Sequence, residues 1–458
     1  MSDILGETAS LCPVCLERVH ARKVSEHGNV YLEKTCAQHG EYRALIWRGA
    51  DSYERWGASG VDLGSPAVRL TASREGCPYD CGLCPAHKAE TCVAIMEVTL
   101  ECNLRCPVCF ASAGERDGDT PALEDIRAVY KTILRSAGPS CPVQLSGGEP
   151  TVRDDLPRIV AMGKEMGFNH IQVNTNGLRI SEDIEYLRAL KAAGASIIYL
   201  QFDGLTDDVY VRMRGRGMFS VKLKAIENCA EVGIGVLLVP VLVPGVNLHQ
   251  VGDMMRLAKS WVPVVKGLHL QPISYFGRYP SCPDDDVRLT IPDVLAAIEE
   301  QTGGEMKSLD FAPRRRKESY CAFGGLFVLN EEDELVAMTR FDRPPDGLGG
   351  MGQMKKQPYE QARHYVTQKW RYVETPQGRV EARPGSWQSF FERARTHYLS
   401  VTCMPFQDIW NLDLDRLTRC CTHLAAWDGR VVPFCAYYVT SSDGVRLTDE
   451  ARRRQHVS

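Results

Sequence analysis

The feature that most constrains this chain is a group of three closely spaced cysteines, Cys102, Cys106 and Cys109. Their spacing, C-x3-C-x2-C, places three thiolates on one short loop. Thiolates are the soft ligands of iron–sulfur clusters, and three of them hold three irons of a [4Fe–4S] cube while the fourth iron keeps an open position. A zinc knuckle is the alternative, but zinc takes four ligands and no fourth stands at knuckle spacing. The spacing favours a cluster whose open iron can bind a molecule and pass it one electron.

Composition narrows the class of protein. The chain has 458 residues, enough for two or three domains, and its 44% hydrophobic and 24% charged residues are typical of a globular protein. Eighteen cysteines lie mostly in tight groups. Because residues 1–11 show no secretory signal, we expect metal or cluster ligands in a reducing cytoplasm. The net charge of −4 gives no case for nucleic acid, and the longest apolar run, residues 233–246, is too short for a transmembrane segment.

Residues 1–56 are predicted to form a ribbon-like module around one metal ion. A C-x2-C pair and a C-x2-H pair supply four ligands, which are Cys12, Cys15, Cys36 and His39. Two knuckles separated in this way can close a tetrahedron, and alternating residues between them indicate a strand. We expect a structural Zn²⁺; a mononuclear iron and reduced free thiols are the alternatives.

Residues 57–92 are predicted to be a linker followed by a first auxiliary cluster loop. Four cysteines fall within sixteen residues, namely Cys77, Cys81, Cys84 and Cys92. Four thiolates complete the ligand set of a second [4Fe–4S] cluster, and zinc is the alternative.

Residues 93–280 alternate between strand and helix patterns. Strands are predicted at 93–99, 142–145, 170–174, 196–202, 235–243 and 265–273. Six β/α units with short connections predict an α/β fold, in which a parallel sheet curls into a partial (β/α)6 barrel. Catalytic residues of such barrels lie at the carboxyl ends of the strands, and the loop with the three cysteines follows the first strand.

Candidate ligand-binding residues also follow the next three strands. They are Gly147, Gly148, Glu149, Asn174, Asn176, Gln201 and Asp203. The two glycines let the backbone approach a ligand, the glutamate adds a carboxylate, and the other side chains can bind hydroxyl and carboxylate groups. Asn176 and Asp203 each precede a glycine, so the alternative is that they are ordinary turn formers.

Residues 281–458 lose the β/α rhythm and are predicted to be a cluster-binding α+β extension. A further set of four cysteines, for a third [4Fe–4S] cluster, consists of Cys403, Cys420, Cys421 and Cys435. The alternatives are a zinc site, or one cysteine of the adjacent pair as a buried structural thiol. Among the other cysteines, Cys321 is a candidate hydrogen-atom donor and Cys229 falls on an apolar helix face.

Together these motifs resemble the radical S-adenosylmethionine (SAM) enzymes, with residues 147–149 similar to their GGE motif. The order of ribbon, four-cysteine loop, barrel and C-terminal cysteines, including the Arg-Cys-Cys-Thr-His stretch at 419–423, resembles one group in particular. That group contains archaeal tetraether lipid synthase and the class D radical SAM methylases, which are 7,8-dihydro-6-hydroxymethylpterin dimethyltransferase-like. One departure is Val108, where the family usually has an aromatic residue before the third cysteine.

The resemblance implies a mechanism. SAM binds the open iron, its amino group meets the GGE motif, and one electron cleaves it to methionine and a 5′-deoxyadenosyl radical. That radical takes hydrogen from an unactivated carbon, and a C–C bond forms by methyl or methylene transfer to a pterin-like or other small molecule. The implied cofactors are three [4Fe–4S] clusters, SAM, Zn²⁺ or iron, and a reduced folate or pterin as one-carbon donor.

The implied partner is a reductase such as flavodoxin or ferredoxin. Two alternative functions remain open at this point. The first is radical coupling of lipid alkyl chains, which leaves peripheral membrane contact open. The second, from another class, is an iron–sulfur electron-transfer or carrier protein.

Overall fold

The computed structural model of this chain describes residues 2–57, 65–114, 120–279, 282–313, 319–341, 358–373 and 386–457. Its N-terminal part is an antiparallel sheet in the order β1-β2-β3-β4, followed by one helix. The elements are β1 (Asp3–Leu11), β2 (Arg18–Glu26), β3 (Asn29–Cys36), β4 (Gly40–Arg48) and α1 (Ala50–Gly57). Alternate residues of β3 are buried, as expected of a strand with one face on a core. This sheet confirms the predicted ribbon-like module.

The barrel strands are β5 (Val93–Thr99), β6 (Val143–Gly147), β7 (Ile171–Thr175), β8 (Ile197–Gln201), β9 (Gly235–Val239), β10 (Val241–Leu242) and β11 (Val265–Pro272). The helices between them are α2 (Leu123–Ala137), α3 (Leu156–Glu165), α4 (Leu178–Glu182), α5 (Ile184–Ala192), α6 (Asp207–Arg214), α7 (Phe219–Val232) and α8 (Val251–Ser260). Six strands, β5, β6, β7, β8, β9 and β11, pair in parallel in this order. The predicted α/β fold with a six-stranded parallel sheet is confirmed.

The C-terminal region has short strands and helices. They are α9 (Ile291–Gln301), β12 (Ala312–Pro313), β13 (Phe323–Leu329), β14 (Leu335–Ala337), α10 (Pro358–Lys369), α11 (Trp387–Thr396), β15 (Tyr398–Cys403), α12 (Leu414–Thr418), β16 (Thr422–Ala425), β17 (Val431–Pro433), α13 (Phe434–Tyr438) and α14 (Leu447–Val457).

Two of these C-terminal strands extend the barrel sheet at both edges. β16 pairs in parallel with β5, where Thr422 lies opposite Val93, and β15 pairs in parallel with β11, where Ser400 lies opposite Gly267. Eight parallel strands therefore run in the order β16-β5-β6-β7-β8-β9-β11-β15. Two antiparallel strands flank them, β17 on β16 and β13 on β15. The sequence did not predict β15, β16 or β17, because these strands stand outside the β/α repeat.

The two faces of this sheet have different environments. On β5, Ala94, Met96 and Val98 point to the main hydrophobic core with the surrounding helices. Val93 and Ile95 point to the opposite face and border a cavity inside the barrel. A strand buried on both faces explains the continuous apolar run that marks β5 in the sequence. No helix among the described residues is long and apolar enough to cross a bilayer.

Candidate functional site

A cavity of about 800 Å³ runs along the inner face of the barrel. At the carboxyl ends of the strands its wall contains all three cysteines of the C-x3-C-x2-C loop. At the other end it reaches Cys92 and Thr422, which lie where β5 and β16 begin. The cavity thus joins the mouth of the barrel to its opposite end.

The loop of Cys102, Cys106 and Cys109 is held from outside the predicted motif. Arg278 donates from Nε to the Cys106 carbonyl at 2.8 Å, and its backbone exchanges two hydrogen bonds of 2.9 Å with Cys109. The three thiols are half-buried. This contact fixes a loop that would otherwise have no regular structure.

The chemistry of these thiols fits an iron–sulfur cluster. Burial raises the pKa of Cys102 to about 12 and also raises the pKa of Cys106. Such thiols stay protonated at neutral pH unless a bound cation stabilises the thiolate. Within the described residues, the only group with ligand atoms close enough for a single ion is the N-terminal one, so the zinc-knuckle alternative gains no support at this loop.

The glycine loop after β6 lies directly against this cysteine loop. Gly148 donates to the Thr99 carbonyl at 2.8 Å, and Glu149 donates to the Glu101 carbonyl at 2.9 Å. A Cβ on Gly148 would lie 2.1 Å from the Glu101 oxygen, and Gly147 has a φ of +122°. Only glycine permits this approach, so the two loops form one continuous wall.

Glu149 is buried, and the loop after β7 fixes its carboxylate. It accepts hydrogen bonds from the backbone and hydroxyl of Thr151 at 3.0 and 2.6 Å, and from the Asn176 backbone at 2.6 Å. Burial raises its pKa. The charge borders the cavity in a fixed orientation.

Six of the seven candidate ligand-binding residues predicted at the strand ends line the cavity, namely Gly147, Gly148, Glu149, Asn174, Asn176 and Gln201. Asn176 donates to the side chain of Asn103, next to Cys102, at 2.7 Å. Asp203 is fully buried and pairs with Arg214 at 2.6 Å, and it is Arg214 that reaches the cavity wall. The contacts of these residues with SAM stay predictions.

The four predicted ligands of the N-terminal site meet in the ribbon. Their ligand atoms all lie within 4.8 Å of one another. Cys15 and Cys36 sulfurs are 3.9 Å apart, and the His39 Nδ1 lies 3.6 Å from Cys12 and 3.5 Å from Cys36. A tetrahedral zinc with bonds of about 2.3 Å to sulfur and about 2.1 Å to nitrogen requires separations of about 3.8 and about 3.6 Å. The site therefore fits a single zinc-sized ion.

The first auxiliary loop brings three of its cysteines together. A hydrogen bond with Cys77, followed by burial and Cys84, raises the pKa of Cys81. Cys92 lies beside the C-terminal pair instead, where its backbone donates to the Cys421 carbonyl at 2.7 Å. Its role as fourth ligand stays a prediction.

The C-terminal cysteines lie in several environments. Burial, then Cys435 and Cys421, raises the pKa of Cys420. Cys403 ends β15 within the main core, and burial alone raises its pKa. Cys321 does not line the cavity described here but lies near Cys420 and Cys435. Their assignment to one cluster is a prediction.

Several cavity residues were missed by the sequence analysis. Arg214 and Arg278 hold the cysteine loop or its neighbours, and Tyr199, His269 and Trp370 form an aromatic wall. Their ring centroids lie 5.7, 5.8 and 6.0 Å apart. These are single residues on separate elements, so no spacing in the sequence could have grouped them.

Comparison with known proteins agrees with this geometry. Residues 96–258 match the family described as Radical SAM superfamily, and residues 4–48 match the HMPTM N-terminal zinc ribbon domain. The second match favours zinc in the ribbon site.

Individual relatives extend the match to the whole chain. The 7,8-dihydro-6-hydroxymethylpterin dimethyltransferase of Methanocaldococcus jannaschii is 35% identical, covering 94% of this chain and 93% of that protein. The probable GTP 3′,8-cyclase of Methanothermobacter thermautotrophicus is 28% identical, covering 55% of this chain and 81% of that protein. The crystal structure of Streptococcus suis SuiB bound to the precursor peptide SuiA is 15% identical, covers 47% of this chain and 46% of that chain, and has a TM-score of 0.37. By its match along nearly its full length, this chain belongs to the radical SAM enzymes, in the group of the 7,8-dihydro-6-hydroxymethylpterin dimethyltransferase.

Proposed function

We propose that this radical SAM enzyme forms a C–C bond by transferring a methyl or methylene unit to a pterin-like or other small molecule. The observation that carries the proposal is the single cavity that contains both the three-cysteine loop and an aromatic wall. The similarity to a pterin dimethyltransferase supports the same substrate class. A reduced folate or pterin as one-carbon donor, and a flavodoxin or ferredoxin as reductant, complete the proposal.

Different residues of the cavity have different roles. Cys102, Cys106 and Cys109 would hold a [4Fe–4S] cluster, which would supply the one electron needed for reductive cleavage of SAM. Glu149, already oriented by Thr151 and Asn176, accepts a hydrogen bond from the amino group of SAM. The walls of the cavity position the reacting carbon and keep water away from it.

Side chains at the carboxyl ends of β7 and β8 are proposed to bind the polar end of SAM. Asn174 is fixed by a hydrogen bond from Gln144 at 2.7 Å, and Gln201 by one from Lys222 at 2.8 Å. In the proposal, Asn174, Asn176, Gln201 and Asp203 bind the ribose hydroxyls and the carboxylate, with Asp203 acting through Arg214.

The aromatic wall supports a flat heterocycle as substrate. Tyr199, His269 and Trp370 present ring faces and edges, and Gln144 and Gln271 add amide donors and acceptors to the same cavity. Aromatic rings pack favourably on one another, and a few amides fix the orientation of a heterocycle.

Coupling of lipid alkyl chains is the second candidate. It is favoured by the length of the cavity, which runs along the inner face of the barrel with many apolar residues in its wall, including Val93, Ile95 and Val239. An extended alkyl chain needs such a tunnel.

Two auxiliary clusters belong to the proposal. Their proposed ligands are Cys77, Cys81, Cys84 and Cys92 for one, and Cys403, Cys420, Cys421 and Cys435 for the other. They would supply or accept electrons around the radical step, and three cubes with one ribbon metal would give about twelve irons and either one zinc or one further iron per chain.

The test measures 5′-deoxyadenosine released from SAM by anaerobically reconstituted, reduced protein. The triple variant Cys102→Ala, Cys106→Ala, Cys109→Ala is expected to lose this release, whereas Cys229→Ala, which changes a buried core cysteine, retains it. Unchanged release from the triple variant contradicts the proposal.

The substrate is identified by adding candidates to the wild-type enzyme. We expect 7,8-dihydro-6-hydroxymethylpterin to accelerate release and to yield a methylated pterin by mass spectrometry. Acceleration by a long-chain lipid alone, with a coupled alkyl product, contradicts the pterin assignment and favours the second candidate.

A further inference from the structure

The barrel sheet has an open side. Among the described residues, β15 pairs with β11 and β13, and β16 pairs with β5 and β17, but β15 and β16 do not pair with each other. The eight parallel strands therefore stop short of a closed ring. Backbone hydrogen bonds between the described strands therefore do not join the two sides of this opening.

Three cysteines stand on the two sides of this opening. Cys321 comes two residues before β13, on the β15 side. Cys420 precedes β16 and Cys435 follows β17, on the other side. The segment after β15 crosses between the sides, and the Gln407 backbone donates to the Cys435 sulfur at 3.3 Å.

Cys321, Cys420 and Cys435 are neighbours of one another. Burial comes first among the causes that raise the pKa of Cys420, and both Cys435 and Cys321 add to it. Burial raises the pKa of Cys435 to about 12, and Cys321 again adds to the shift. The three sulfurs therefore share one partly buried region.

A positively charged arginine side chain from α12 lies beside these thiols. Arg416 donates from Nη2 to the Cys321 sulfur at 3.2 Å and to the Tyr320 carbonyl at 3.2 Å. Because Arg416 lies four residues before Cys420, it connects the two sides of the opening. An arginine on a sulfur ligand is the kind of outer hydrogen bond that orients metal ligands.

The other predicted ligands of this region have different neighbours. Cys403 is fully buried in the main core, opposite Phe323 in the sheet. Cys421 packs with Cys92 and Ala89.

We infer that Cys321 is a ligand of the C-terminal iron–sulfur cluster, together with Cys420 and Cys435. The cluster then ties the β13–β15 edge of the sheet to the β16–β17 edge across the opening. One of the remaining predicted thiols, Cys403 or Cys421, completes the four. This inference rests on the C-terminal cluster of the proposed function.

The first test counts iron in Cys321→Ala after anaerobic reconstitution. We expect a loss of about four of about twelve irons, and the electron paramagnetic resonance signal that disappears should be the one lost in Cys435→Ala. Cys229→Ala is the matched control and keeps the full iron content. Full iron in Cys321→Ala, or loss of a signal that Cys435→Ala retains, overturns the inference.

The second test uses the wild-type protein, so it does not depend on the folding of a variant. The protein is treated with iodoacetamide with its clusters bound and again after iron is chelated, and labelled peptides are identified by mass spectrometry. We expect Cys321 to be protected only while the clusters are bound. Equal labelling in both states overturns the inference.

The iron content of the wild type separates this inference from the proposed function. A wild type with only about four irons refutes the auxiliary clusters altogether. A wild type with about twelve irons and an unaffected Cys321→Ala refutes the role of Cys321 alone.

Discussion

At the scale of single residues, Arg278 decides whether the cysteine loop keeps its shape. Its guanidinium donates to the Cys106 carbonyl at 2.8 Å and to the Ala113 carbonyl at 3.4 Å. A hydrogen bond from a charged donor contributes about 1.5–3 kcal/mol. We therefore expect Arg278→Ala to lower the rate of 5′-deoxyadenosine formation about tenfold to a hundredfold, measured at saturating SAM and reductant.

The control for this change is Arg188→Ala, which removes an exposed arginine that forms surface ion pairs with Glu185 and Glu231. Surface pairs contribute little, so this variant should keep the wild-type rate. A wild-type rate in Arg278→Ala as well would show that the backbone pairing with Cys109 suffices to hold the loop.

At the scale of elements, the contact between the end of β6 and the cysteine loop has no room for a side chain. The Cβ of Gly148→Ala would meet the Glu101 oxygen at 2.1 Å, where the backbone fixes the position of the Cβ and the oxygen is itself a backbone atom. Overpacking of this kind costs about 1–3 kcal/mol, so the two loops must separate. We expect SAM affinity to fall at least about tenfold, measured by equilibrium binding to the reconstituted protein.

Gly6→Ala makes the same substitution where no atom lies within 4 Å. Its affinity for SAM and its melting temperature should match those of the wild type. If Gly148→Ala binds SAM as tightly as Gly6→Ala, the glycine loop does not shape the SAM site.

At the scale of the whole molecule, Asp413 connects the ribbon to the cluster-bearing C-terminal region. Its buried carboxylate pairs with Lys23 at 2.7 Å and accepts from the Thr8 hydroxyl at 2.7 Å. The same carboxylate caps α12 by accepting from the backbones of Asp415 and Arg416 at 3.0 and 3.2 Å. One side chain thus fixes both the ribbon and the helix that leads to the C-terminal cysteines.

Loss of this carboxylate should loosen the ribbon. Breaking a buried pair and removing a helix cap together cost about 3 kcal/mol or more, so Asp413→Ala should unfold at lower denaturant and expose the ribbon to protease. Asp443→Ala, at an exposed position, is the control. Wild-type protease resistance in Asp413→Ala would show that the ribbon is held by its other contacts.

How much of this structure could be predicted from the sequence also depends on scale. The ribbon ligands and the three-cysteine loop were predicted because their members lie close together along the chain, where local geometry leaves few alternatives. The six barrel strands were predicted because burial on both faces and a regular β/α repeat mark each of them. No comparable sequence pattern marks the residues that contact the cysteine loop, such as Arg278 and Arg214.

The sequence by itself determined the α/β fold, the ribbon with its four candidate metal ligands, and the family, since local patterns mark each of them. Only the tertiary structure decided that β15 and β16 widen the barrel and that Cys321 lies with Cys420 and Cys435. The physical reason is distance along the chain: contacts between residues a hundred positions apart are set by the packing of the whole sheet, and no local pattern records them.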